Sequence, residues 1–273
     1  MREYSPEELR LLTEVLPNIA QELRGAMTNV YIAANRLAPA QSREENPEID
    51  KNAAIFTQNY YRMYRVVGNL TDAKRLAETG LFTLTNGDLA GLVRSVCERA
   101  EPLFQMKGVT LRFDSEQSGH IVAMESELME RLLLNLLSNA LKFTPAGGDV
   151  SVRVRITGQR VYLTVADTGR GIPPEKLEHV FERFLEADPA DPPPHGVGLG
   201  LALCRRIAEG HGGSIVVESE EGKGTTFTVS IPNHRSLNAR LNSPIRIPPG
   251  FNETLVQLSD ALPAEAFSHR YLD

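Results

Sequence analysis

The chain has 273 residues, enough for two modest domains, and its 41% hydrophobic and 23% charged residues are ordinary for a globular protein. A net charge of −6 without any basic run argues against nucleic acid as a partner, because phosphate binding needs clustered Lys and Arg. The polar start (Met1, Arg2, Glu3, Tyr4) is no signal peptide, no apolar run approaches the roughly 20 residues of a membrane span, and Cys97 and Cys204 lack metal-ligand spacing, so the sequence reads as cytoplasmic, without membrane insertion, with both thiols reduced and buried.

The first element in the chain is helical. Ser5, Pro6 and Glu8 form a helix start with a capping box. Behind them Leu9, Leu12, Leu16, Ile19, Leu23, Ala26, Val30, Ala33 and Leu37 recur at spacings of three and four, a heptad seam. Pro17 falls within the seam and predicts a local kink. The chain turns over residues 38–47, and a second seam follows: Ile49, Ala53, Phe56, Tyr60, Met63, Val67, Leu70, ending near Gly80. Two long helices with one seam each cannot bury themselves as a lone hairpin. Two copies would close a four-helix bundle, so residues 1–80 predict a dimerisation domain and the chain a homodimer. The alternative is packing of the hairpin against the second domain.

Residues 81–233 alternate strand and helix patterns. Strands are predicted at Leu81–Thr85, Val109–Phe113, His120–Ala123, Val150–Ile156, Val161–Ala166, Ser214–Glu218 and Thr225–Ile231. Helices are predicted at Asp88–Gln105, Glu125–Phe143 and Gly198–Gly210. Helices on one face of a mixed sheet make an α/β sandwich.

Three groups in this segment can hold a nucleotide. Asn135, Asn139 and Lys142 lie on one helix face, where a short amide oxygen can ligate Mg²⁺ and an ammonium can meet phosphate oxygens. Asp167-Thr168-Gly169-Arg170-Gly171 ends a strand; its carboxylate can accept from an adenine amino group while the glycines let backbone close on the base. Gly196-Val197-Gly198-Leu199-Gly200-Leu201 opens a helix whose free N–H groups suit a phosphate. That glycine run does not follow a strand, so a dinucleotide fold fits poorly. Singly these are commonplace: a solvated Asn, a turn, a hinge. Their order and intervals together point to ATP with Mg²⁺.

The order resembles the catalytic domain of sensor histidine kinases, in the GHKL superfamily of ATPases and kinases, over about Leu9 to Pro232. The stretch from Leu134 to Pro145 resembles the N box, which implies Asn139 as Mg²⁺ ligand with Asn135 and Lys142 facing the phosphates. Asp167 to Pro173 resembles the first glycine box, with Asp167 reading adenine and Gly169 and Gly171 beside it. Phe181-Glu182-Arg183-Phe184 resembles the F box, which places Arg183 at the nucleotide. Gly196, Gly198, Leu199 and Gly200 resemble the second glycine box under the phosphates. Gly222 to Phe227 resembles the final strand turn, where Thr226 would approach the base. The lid from Phe184 to Gly196 departs from the common pattern: Pro189, Pro192, Pro193 and Pro194 predict a stiff cover, with His195 either exposed or touching the phosphates.

A larger departure lies in the first helix. The family's acceptor motif, His-Glu-x-Arg-Thr-Pro, aligns with Gln21-Glu22-Leu23-Arg24-Gly25-Ala26, and Gln21 holds the histidine position. An imidazole nitrogen is a nucleophile at neutral pH; a carboxamide nitrogen, its lone pair delocalised, is not. Glu22 remains as a residual base with nothing beside it to activate. The resemblance therefore implies a two-component pseudokinase engaging a response regulator or another histidine kinase. The alternatives are an active kinase phosphorylating a partner's His or Ser in trans, and a structural adaptor with a vestigial nucleotide site. Residues 234–273 lie outside the resemblance. Their prolines suggest a link, and Asn252–Leu262 reads as a short amphipathic helix, docked on its own domain or on a partner.

Overall fold

The computed structural model describes residues 15–77, 82–182, 198–236 and 252–269, so the helix start at Ser5–Glu8 lies outside the described residues. The chain divides into two compact units: Met1–Gly80 with Leu255–Asp273, and Leu81–Thr254.

The first unit is built on α1 (Leu16–Leu37), a short α2 (Ala40–Glu45) and α3 (Pro47–Ala77). Pro17 sits in the first turn of α1 as described. The helices pair antiparallel: Tyr31 stacks on Tyr60 with ring centroids 4.2 Å apart, and the Arg24 guanidinium lies 5.1 Å from the centre of the Tyr64 ring. Residues Ala20, Arg24, Met27, Tyr31 and Ala34 turn inward, Ala20 fully buried and the others partly. The expected α1 seam is therefore not the inner face of the hairpin. It lies one residue, or about 100° of helix, away. Ile19 and Leu23 are each 46% exposed, Val30 56% and Leu37 86%. On α3, Tyr60 and Val67 of the expected seam are buried, whereas Met63 is exposed.

After the 174 residues of the second unit the chain returns to this hairpin. Helix α8 (Glu253–Leu258) and a 3₁₀ turn (Ala264–Phe267) follow, with Leu258, Ala261, Leu262, Ala266 and Phe267 buried.

The second unit contains β1 (Thr85–Asp88), α4 (Leu89–Met106), β2 (Thr110–Ser115), β3 (Ile121–Met124), α5 (Ser126–Phe143), β4 (Asp149–Thr157), β5 (Arg160–Asp167), α6 (Pro174–Leu177), α7 (Gly200–Gly210), β6 (Ser214–Glu220) and β7 (Gly224–Pro232). The main sheet runs β2-β4-β5-β7-β6, parallel only between β2 and β4; β1 and β3 pair separately. Alternation fixes its two faces. Val150, Val152, Val154, Val161, Leu163, Val165, Phe227, Val229 and Ile231 are buried, and Arg153 and Arg155 on the other side pair with Asp114 and Glu116. Helix α5 is the central element: Leu128, Leu132, Leu133, Leu134, Leu136, Leu137 and Leu141 are all at or below 2% exposure. Each such leucine stabilises the unit by roughly 1.5–3 kcal/mol. Its start is capped by His211, whose Nδ1 is 2.7 Å from the Ile207 carbonyl and therefore carries the proton, leaving Nε2 to accept from the Glu125 N–H at 2.9 Å. Its end is capped by Lys107, whose Nζ donates to the Leu141 carbonyl at 2.5 Å.

Candidate nucleotide-binding site

Three elements converge in the second unit: the C-terminal half of α5, the end of β5 and the start of α7. Asn135 lies on α5 at 1% exposure, and neither its Nδ2 nor its Oδ1 has a hydrogen-bond partner. A Cβ on Gly200 would stand 3.4 Å from Asn135 Oδ1, so this carboxamide is aimed at the opening of α7, where the first helical N–H groups are unused by the helix. Gly198, at φ +69°, makes the turn into that helix, and Leu199 is buried beneath it. Asn139 and Lys142 follow on the same face of α5, half-buried.

At the end of β5, Asp167 Oδ1 accepts the N–H groups of Gly169 at 2.9 Å and Thr225 at 3.3 Å. Burial pushes this carboxyl above the usual aspartate range, and the two backbone donors pull it back in part. Among the described residues nothing bonds its second oxygen, which is left for a ligand. The loop that follows is held by close backbone contacts. A Cβ on Gly169 would meet the Phe143 carbonyl oxygen at 2.6 Å, and one on Gly171 would meet the Glu220 carbonyl oxygen at 2.1 Å, with Gly171 at φ +72°. Those contacts pin Asp167 beside the end of α5. The Arg170 guanidinium lies 4.7 Å from the centre of the Phe143 ring and Lys142 Nζ 5.4 Å, which sets two cations around one aromatic at the edge of the site.

The arrangement corrects one sequence expectation. Thr226 pairs in register with Ala166, not with Asp167, and strand alternation turns it to the opposite face of the sheet. Thr225 is the register partner of Asp167, is buried, and faces the helix layer; its hydroxyl lies 3.0 Å from Ser219 Oγ. Counting the two threonines against the alternating buried residues Phe227, Val229 and Ile231 would have chosen Thr225 from sequence. Arg183, His195, Gly196 and the proline-rich lid lie outside the described residues. Gln21 and Glu22 sit on α1 in the other unit, both exposed. Cys97 and Cys204 are buried and free, and burial pushes the Cys97 thiol up to about 12.

A family model described as "Histidine kinase-, DNA gyrase B-, and HSP90-like ATPase" matches residues 124–235, which hold this whole arrangement. The second unit is thus a GHKL-type ATPase domain. Over a longer stretch, the adaptive-response sensory kinase SasA of Crocosphaera subtropica is 32% identical over 240 residues, 86% of this chain and 63% of that protein. Sensor protein DivL of Caulobacter vibrioides is 32% identical over 228 residues, 83% of this chain and 29% of that protein. The crystal structure of full-length ShkA in complex with AMPPNP matches with TM-score 0.66 and 28% identity, covering 82% of this chain and 46% of that one. The histidine kinase ThkA, solved in complex with the response regulator TrrA, shares the fold with TM-score 0.56 at 23% identity, covering 84% of this chain and 64% of that one. The chain belongs to the sensor histidine kinase family. It spans 63% and 61% of the length of the first two SasA relatives it matches. No described helix is long and apolar enough to cross a membrane.

Proposed function

We propose that the chain binds ATP with Mg²⁺ in the second unit and acts as a dimeric two-component signalling protein, a pseudokinase that has lost its own phosphoacceptor. The observation that carries the nucleotide reading is the Asn135 carboxamide, buried with no partner for either end. Leaving such a group unsatisfied costs about 1–3 kcal/mol, and a triphosphate with its metal-bound waters would satisfy it. Asn139 would supply one amide oxygen to Mg²⁺, a donor set that suits a cation preferring phosphates and waters over a protein cage. The metal would neutralise phosphate charge. Lys142 and the α7 N–H groups would hold the phosphates, with Gly196, Gly198, Leu199 and Gly200 forming the floor. The unbonded oxygen of Asp167 would take the adenine amino group, with Thr225 beside it, and Arg183 would join from the F box.

The loss of the acceptor rests on α1. Gln21 and Glu22 both face solvent, where an acceptor must stand to be reached, and Gln21 offers no nucleophilic nitrogen there. The dimer rests on the apolar stripe of Ile19, Leu23, Val30 and Leu37, which the hairpin leaves exposed and a second copy would bury in a four-helix bundle. A response regulator or another histidine kinase is the partner class, by analogy with the ThkA complex. Incubation of the purified chain with Mg²⁺ and γ-labelled ATP tests this reading. Bound nucleotide without acid-labile phosphate on the chain is expected; acid-labile label on the chain overturns the pseudokinase. Label passed to a supplied partner at catalytic turnover would favour the trans-acting kinase instead.

A further inference from the structure

The backbone ladder of α5 closes with the Thr144 N–H on the Ala140 oxygen at 3.0 Å. The next three carbonyls, of Leu141, Lys142 and Phe143, are out of the helix's own reach. Each has a donor from elsewhere. The Phe143 oxygen accepts the Arg170 N–H at 3.3 Å. The other two are taken by a single side chain: Lys107 Nζ donates to the Leu141 oxygen at 2.5 Å and to the Lys142 oxygen at 3.3 Å.

Lys107 directly follows α4 and is half-buried, and its backbone is held firmly. Its N–H donates to the Phe104 oxygen at 3.0 Å, and the Gly108 N–H donates to the Gln105 oxygen at 2.9 Å. The turn that carries it is stitched to the turn that follows α5. The Gly147 N–H donates to the Gly108 oxygen at 2.7 Å, and the Thr110 N–H donates to the Gly148 oxygen at 3.0 Å. With both turns tied, the ammonium is a fixed bridge to the end of α5.

That end bears on one part of the site more than the other. Asn139 and Lys142 belong to the last turns of α5, and the carbonyl of Lys142 is itself one of the two that Lys107 bonds. Asp167 has separate anchors, the Gly169 and Thr225 N–H groups. A helix C-terminus is also the negative pole of its dipole, a poor neighbour for phosphate unless a cation offsets it. Burial holds Lys107 below the ordinary lysine range, and the nearby Lys142 ammonium pushes the same way.

We propose that Lys107 is a positioning residue for the polyphosphate of a bound nucleotide: by bonding the Leu141 and Lys142 carbonyls it fixes the turn that aims Asn139 and Lys142 and offsets the negative pole of α5 beside the phosphates. This role rests on the nucleotide reading above. Lys107 acts through α5 rather than by touching the ligand.

Binding of two probes to the full chain tests it: Mg·ATP by titration calorimetry and adenosine by ligand-observed NMR. Lys107→Met should weaken Mg·ATP at least tenfold and adenosine less than threefold. Lys107→Arg keeps a cation with several donors and should stay within threefold of wild type for both. Equal loss of ATP and adenosine would make Lys107 a general support of the fold and overturn the proposal. So would undiminished ATP affinity in Lys107→Met, or an arginine variant as weak as the methionine one. If Lys107→Met does not fold, Lys107→Gln replaces it, with at least a threefold loss for ATP and none for adenosine expected. The two readings fail differently. A folded wild-type chain that binds no Mg·ATP sinks both, whereas wild-type binding that Lys107→Met leaves intact sinks the role of Lys107 alone.

Discussion

The two units hold their functional residues in opposite ways. In the nucleotide unit, Gly171 lies against the Glu220 carbonyl, Gly169 against the Phe143 carbonyl, and Asp167 is fixed by two backbone donors. A change at any of these positions meets backbone, which has nowhere to go. On α1, Gln21 is exposed, and a Cβ on Gly25 would have nothing within 4 Å. A side chain can be exchanged there with no structural consequence. On the proposed reading, the nucleophile is missing where the fold does not depend on it, and the nucleotide pocket lies where it does.

Substitutions can break that contrast. Gly171→Ala should be the most damaging: the positive φ costs about 1–2 kcal/mol and the clash with Glu220 raises the total to about 3 kcal/mol or more. Calorimetric melting of the nucleotide unit should fall by about 10 °C, and an unchanged melting point would mean that the loop is not gripped. Acid should also act first on this unit. Burial holds His211 below the ordinary histidine range, against a smaller opposing pull from the Ile207 carbonyl. The folded state therefore binds the proton less well than the unfolded chain. Its contribution is whole above the unfolded pKa of about 6.5 and is lost as pH falls through the lower folded value. Thermal melts from pH 7.5 to 5 should show the nucleotide unit weakening below about pH 6.5, a trend that His211→Gln would flatten. A pH-independent melt would show that His211 is not the neutral cap of α5. At the mild end, Gly25→Ala should stabilise the hairpin by about 0.5–1 kcal/mol, because it removes unfolded-state freedom from an exposed helical site. Destabilisation on urea titration would show that Gly25 is packed after all.

The same contrast explains what could be read in advance. The strands and helices of the nucleotide unit follow from apolar period, and the stretch from Leu134 to Pro145 carries enough distinctive residues to be recognised on sight. Thr225 and Thr226 are hard to tell apart in the sequence because adjacent threonines differ only in the face they take, which the register with Asp167 decides. In the hairpin, two apolar stripes run side by side on α1, and periodicity alone could not tell the one that meets α3 from the one left exposed. The tail was the least legible part. Its partners Arg43, Gln58, Arg62 and Arg65 lie about 200 positions away in sequence, and each is a polar residue that on any isolated helix would be assigned to solvent.

Isothermal titration of Mg·ATP into the wild-type chain and into Asn135→Leu addresses the nucleotide pocket most directly. The wild type should bind one nucleotide per chain. The leucine variant should bind at least tenfold more weakly while its nucleotide-free form melts at the same temperature or higher, since an orphaned amide has been replaced by an apolar group of similar size. Absence of binding heat from a folded wild-type chain, or undiminished affinity in Asn135→Leu, would contradict the account.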